Sequence, residues 1–93
     1  VHVKYQLLRA FIHLKESDWS SCNAAFKSAS KQRPRDPWIY VHWGNAAAQL
    51  AQEAEAIIHW EQAIAHFGVH HKDLRAQLRR KIEKSKDSVD TDR

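Results

Sequence analysis

Seven histidines, one cysteine and a run of basic residues are the side chains of this 93-residue chain that could do chemistry. His66, His70 and His71 crowd around Gly68. Zinc would want about four ligands in a tetrahedral array, at a recognisable spacing such as H-E-x-x-H. That spacing is missing, so no metal is expected, and the histidines are read as residues of helix ends and surfaces, where imidazole near a helix C-terminus is mildly favourable. His13, Glu16 and Asp18 could meet at one turn, but carboxylates and histidine at a surface turn are common. There is no Gly-rich phosphate loop and no G-x-S-x-G. The chain is therefore expected to be no enzyme and to hold no cofactor. Cys22, standing alone, excludes an internal disulfide and any cysteine-based zinc cluster, and is assigned to the core as a small apolar residue.

Basic charge is concentrated near the C-terminus. Lys72, Arg75, Arg79, Arg80, Lys81, Lys84 and Lys86 stand against Asp73, Glu83 and Asp87, an excess of four that equals the net charge of the whole chain. Such a run is either a solvated helix face or a surface for an acidic partner. The composition, 43% hydrophobic and 28% charged, is that of one small globular domain. No segment approaches a membrane span, and the start at Val1 has neither a basic n-region nor an apolar h-region. A chain opening on Val1 without Met is expected to be processed or cut from something longer. The lone thiol suits a reducing compartment, and a cytoplasmic location is expected.

Five helices must position these groups. Val3 to about His13 has apolar residues at helical spacing, with Tyr5, Leu8 and Ile12 on one stripe. Ser17 or Asp18 can cap a second helix running to about Lys31 through Trp19, Cys22, Ala25 and Phe26. After the polar turn Gln32 to Asp36, Asp36-Pro37 is a start signal for a third helix, to about Ala51, because the carboxylate accepts from free amides and proline fits the first helical position. Glu53 to about Phe67 is alanine-rich and helix-favouring, with Gly68 as its stop. Lys72 to about Lys86 carries Leu74, Leu78 and Ile82 at i, i+4 and i+8. Residues 88–93 read as a disordered tail.

Trp19, Cys22 and Phe26 align with Glu53, Ala56 and Trp60 at one constant separation, the period of a helical-hairpin repeat. The second unit runs Tyr40, Trp43-Gly44, Ala47, Ala56, Trp60, Ala63. This pattern resembles the tetratricopeptide (TPR) repeat, W-x2-L-G-x2-Y followed by A-x3-F. The resemblance implies an all-α stack of helical hairpins, an α-solenoid, in one domain over 1–87: repeat one about 3–34, repeat two about 37–68 and a capping helix about 72–86. Gly44 and Ala56 would let the two helices of a unit cross closely, while Tyr40, Trp43 and Trp60 fill the space between units. The first unit departs from the pattern: Arg9 stands at the Gly position, and Tyr5 to Cys22 is one residue longer than Tyr40 to Ala56, which suggests an extra residue in the turn around Lys15 to Asp18. In the last helix Gln77 and Lys81 take the places of Trp43 and Ala47, so its outer face is polar, as a cap requires.

What the resemblance implies for function is a non-catalytic protein-interaction module with a partner peptide or helix in a concave groove. Carried onto this chain, the groove residues are Trp38, Val41, His42, Asn45 and Gln49 in the third helix, Lys72, Arg75, Ala76 and Arg79 in the fifth, and Gln6 and Ala10 in the first. Trp38 is spare beside the core aromatics and is either an anchor for a partner or packing over Pro37 or the preceding helix. Lys72, Arg75 and Arg79 would favour acidic character in that partner. A carboxylate clamp of the chaperone-binding kind is not expected, since Gln6, Ala10 and His42 depart from its residues. Trp38-Ile39-Tyr40 and Trp60-Glu61-Gln62-Ala63-Ile64 also resemble the half-a-TPR (HAT) variant of RNA-processing complexes, and the pI of about 9.5 permits a phosphate-binding surface. A third reading is structural, with the exposed face of the first helix stacking on further repeats or on a second copy.

Overall fold

Two aspartates start two of the helices. Asp18 Oδ1 accepts from the Ser21 backbone N–H at 3.1 Å and Asp36 Oδ1 from that of Trp38 at 3.0 Å, each satisfying an amide that a helix start leaves open. In the computed structural model, which describes residues 3–91 with side chains through Asp87, the elements are α1 (Val3–Lys15), α2 (Trp19–Gln32), α3 (Pro37–Gln49), α4 (Glu53–His66) and α5 (Lys72–Thr91). Among the described residues there is no strand, and the fold is all-α. Each helix packs chiefly on its neighbours in the chain.

The first two helices recur one repeat later with the same lengths: α1 and α3 have 13 residues each, α2 and α4 have 14. Their connecting turns recur too. Asp18 N–H donates to His13 O at 2.9 Å and Gln52 N–H to Ala47 O at 2.7 Å. Ser17 at φ 56° and Ala51 at φ 62° occupy the same left-handed position. The turns 16–18 and 50–52 are thus equal in length, and the extra residue expected around Lys15 to Asp18 is not there.

Close packing fixes this register. A Cβ on Gly44 would run into the Trp60 indole, 2.5 Å from Nε1 and 2.9 Å from Cγ. One repeat earlier, the places of Gly44 and Trp60 are held by Ala10 and Phe26, both fully buried. Ala10, and not Arg9, therefore takes the glycine's place. The same fact rotates α1 away from its expected orientation. Tyr5, Leu8 and Ile12 are 53%, 59% and 50% exposed, and α1 instead buries Val3 and Ala10 with Leu7 and Leu14 packed beside them. A small residue at the crossing admits Phe26, whereas the bulkier stripe would hold the helices apart.

Trp43 joins the two hairpins. Its ring stacks on Phe26 with centroids 6.1 Å apart, and its Nε1–H donates to Asn23 Oδ1 at 2.8 Å, both on α2. Tyr40 stacks beside it, with its hydroxyl donating to the Pro34 carbonyl at 2.9 Å. Trp60, expected between units, lies inside its own hairpin over Gly44 and also meets Lys81 of α5. Cys22 is fully buried, as a small core residue should be.

The ends of α4 and α5 differ from expectation. Gly68 has no positive φ, so no left-handed glycine stops α4. The helix ends because Phe67 turns extended, at φ −72° and ψ 135°, and buries its ring. Beyond it, α5 docks through Leu74, Leu78 and Ile82 as its stripe predicts. The helix continues past Lys86 to Thr91, taking in positions 88–91 of the expected tail; positions 92 and 93 lie outside the described residues.

Candidate functional site

The leucine stripe of α5 sets which of its polar residues face α3. With Leu74 and Leu78 pressed on the core, Gln77 and Lys81 turn toward α3 and form one wall of a cleft whose other wall is Trp38 and Val41, with Phe67 at its base. A second hollow on the other side of Lys81 is lined by Asn45, Ala48 and Trp60, by Lys84 and Ser85, and by Glu53 of α4. Lys72, Arg75 and Arg79 line neither. The basic wall expected from those three residues is thus made by Lys81 and Lys84.

Trp38 is half-exposed, at 46%, with its ring edge-on to Phe67 at 5.3 Å between centroids. It neither disappears into the core nor stands unsupported. His42 lies beside it, 6.4 Å between centroids, and Phe11 of α1 meets His42 edge-on at 5.6 Å. Phe11, His42, Trp38 and Phe67 therefore form an aromatic path from α1 across α3 to the mouth of the cleft. Burial lowers the His42 pKa, with the nearby Asp36 opposing it, so burial favours the uncharged ring. Phe11 belongs to this surface and the buried Phe67 supports it, although their sequence positions gave no sign of it. Gln77 and Lys81 did carry a signal, as the polar residues standing one repeat after Trp43 and Ala47.

Asn45 is committed inside the fold. Its Oδ1 accepts from Trp60 Nε1–H at 3.1 Å and from Lys81 Nζ at 3.1 Å, which uses both acceptor sites of that oxygen. Lys81 also sits 5.8 Å from the Trp60 ring centroid, a cation–π distance. Val41 is buried and Gln49 exposed at the end of α3. Lys72 lies with His70, His71 and Asp73 in a shallow polar hollow at the start of α5. Arg75 is half-buried and its Nε, shut off from solvent, has no hydrogen-bond partner among the described residues. Arg79 is exposed.

His59 corrects the expectation that the histidines keep to surfaces and helix ends. It is 5% exposed and lies flat on Trp43, with centroids 3.7 Å apart. Nδ1 is 3.3 Å from Gln62 Oε1, and Nε2 is 3.4 Å from the Glu55 carboxylate without forming a hydrogen bond. Burial lowers its pKa, with Gln62 and Glu55 pulling the other way. Elsewhere, burial pushes the Cys22 thiol up to about 11, and the Ser21 backbone amide holds Asp18 below its usual range. His66 stacks on Tyr40 at 5.3 Å and His71 tilts against Phe67 at 5.2 Å. Among the described residues, no three of His, Cys, Asp or Glu come together as a metal site, and no helix is long and apolar enough to cross a membrane.

The chain matches no protein-family model, no curated protein and no solved structure.

Proposed function

We propose that this chain is a TPR-like, non-catalytic interaction module that receives a peptide or helix of a partner protein along the aromatic path and into the cleft between α3 and α5. The observation that carries the reading is Trp38. A large aromatic ring left half-exposed, braced by Phe67 and bordered by Gln77 and Lys81, has the make-up of an anchor site: apolar area beside hydrogen-bonding and cationic groups. Lys81 and Lys84 favour acidic residues in the bound segment. The recurrence of helix lengths and turns from the first hairpin to the second supports the TPR-like reading. A cytoplasmic setting belongs to the same reading, and the free, buried Cys22 is compatible with it.

The test is capture from native cell extract by immobilised wild-type chain, Trp38→Ala and Lys81→Glu, each with and without RNase, with thermal unfolding as the check on folding. A protein retained by the wild type after RNase and lost with both variants is the expected result. Capture that Trp38→Ala leaves intact would remove the cleft from the mechanism. Capture abolished by RNase would favour the HAT-like, RNA-linked alternative, and strong salt dependence would accompany it.

A further inference from the structure

α1 and α4 carry opposite charge, and each leaves an apolar stripe uncovered. α1 holds Lys4, Arg9 and Lys15 and no acidic residue. α4 holds Glu53, Glu55 and Glu61 and neither lysine nor arginine. On α1 the exposed stripe is Tyr5, Leu8 and Ile12, at i, i+3 and i+7, the spacing that places side chains on one helix face. On α4 the exposed stripe is Ala54, Ile58, Glu61 and Ala65, with Ile58 51% exposed and two alanines that let another helix come close.

The internal repeat indicates what covers such a stripe. Tyr5 and Ile12 stand one repeat before Ile39 and Ala46, which are 1% and 2% exposed. Ile39 packs with Ala29 of α2 and with Val3 and Leu7 of α1, so on α3 this face is covered by the preceding hairpin. Arg9 stands one repeat before Trp43, whose N–H finds an acceptor, Asn23, on that same α2. On α1 the same face is exposed, and its charged member, Arg9, calls for an acceptor. Because Arg9 is a cation, a carboxylate suits it better than an amide. The exposed face of α4 offers that carboxylate in Glu61, beside Ile58 and the small residues Ala54 and Ala65.

We infer that the chain self-associates by docking α1 of one copy on α4 of a second, with Tyr5, Leu8 and Ile12 against Ala54, Ile58 and Ala65 and with Arg9 facing Glu61 of the second copy. Pairing α1 with α1 would bring together two basic helices, and α4 with α4 two acidic ones. A single helix-on-helix contact falls below the ~1,200 Å² at which interfaces become stable, so the complex is weak and exchanging. Its exposed charges make it salt-sensitive. The cleft between α3 and α5 takes no part, so this inference stands or falls separately from the proposed function.

Sedimentation equilibrium from about 10 µM to about 1 mM covers the weak Kd range, with low and high salt compared. The wild type is expected to self-associate at low salt and to lose affinity by ~2–5-fold at high salt. Arg9→Glu alone and Glu61→Arg alone are expected to be monomeric, while an equimolar mixture of the two forms a complex, because Arg9 of the Glu61→Arg copy still meets Glu61 of the Arg9→Glu copy and the two reversed charges also oppose each other. Both positions are exposed, and circular dichroism checks that the variants fold. Should a charge reversal unfold the chain, Tyr5→Ser and Ile58→Ser read the same contact through its apolar part, and each should abolish association. A wild type that stays monomeric throughout overturns the inference. So does association that survives these variants unchanged, or a mixture no better associated than either variant alone.

Discussion

Replacing Gly44 by alanine should destabilise the protein, against the usual sign for glycine in a helix. In an ordinary helix interior the change gains about 1 kcal/mol, because alanine loses less backbone entropy. Here the new Cβ would lie 2.5 Å from Trp60 Nε1 and 2.9 Å from Cγ. The indole cannot easily yield, being 3% exposed and tied to Asn45 Oδ1 at 3.1 Å. Overpacking of this kind costs about 1–3 kcal/mol, and loosening the indole hydrogen bond adds about 0.5–1.5 kcal/mol. The net expectation is a loss of about 1–3 kcal/mol, which lowers the Tm of a domain this size by roughly 5–20 °C. Urea denaturation of the variant measures it directly. Gly68→Ala is the internal control, since nothing lies within 4 Å of its added Cβ and its φ is not positive. The first hairpin already contains the compensated solution in Ala10 with Phe26, so adding Gly44→Ala to a Trp60→Phe background should be neutral or stabilising by up to about 1 kcal/mol. If Gly44→Ala alone raises stability, or if Trp60→Phe fails to relieve its cost, the close approach does not set the register of the hairpin.

Two further predictions concern the repeated turn and the buried histidine. Ala51 holds φ at 62°, where a Cβ is strained, so Ala51→Gly should stabilise by about 0.5–1 kcal/mol in urea denaturation, and a destabilising result would refute the strain. His59 has a folded pKa below its ordinary 6.5, so the unfolded chain takes up the proton more readily. The stability due to its neutral form is fully present above about 6.5 and is lost as pH falls through that value toward the folded pKa, so Tm should drop between neutral and mildly acidic pH. His59→Phe keeps a ring on Trp43 and removes the titration. The drop should therefore shrink to the part contributed by His42, and an unchanged drop would remove His59 as its source.

Much of the local architecture was legible in the residues. Asp36-Pro37 marked the start of α3 because a carboxylate and a proline each solve the problem of open amides. The separation of Cys22 and Phe26 from Ala56 and Trp60 marked the recurrence of a hairpin. Leu74, Leu78 and Ile82 marked the docking stripe of α5 because its other positions are polar. α1 was misread for the opposite reason: Val3, Tyr5, Leu7, Leu8, Ala10, Phe11, Ile12 and Leu14 surround most of the helix, and periodicity cannot select one face among them. The site was less legible than the fold. Trp38 stood out by its surplus over the core aromatics, whereas Phe11 and Phe67 joined it only through contacts across helices.

The sequence by itself determined where the helices start, which short-range periods they carry and that two hairpins recur, since caps, turns and apolar spacing act between near neighbours in the chain. Tertiary structure decided the rotation of α1, the burial of His59 and which basic residues of α5 face α3. Those depend on the fit of one surface to another: Ala10 at a crossing that admits Phe26, Trp43 flat on an imidazole, and a leucine stripe that turns Lys81 toward Asn45 and leaves Arg79 in solvent. Close packing is a property of pairs of distant residues, so it enters only when the helices meet.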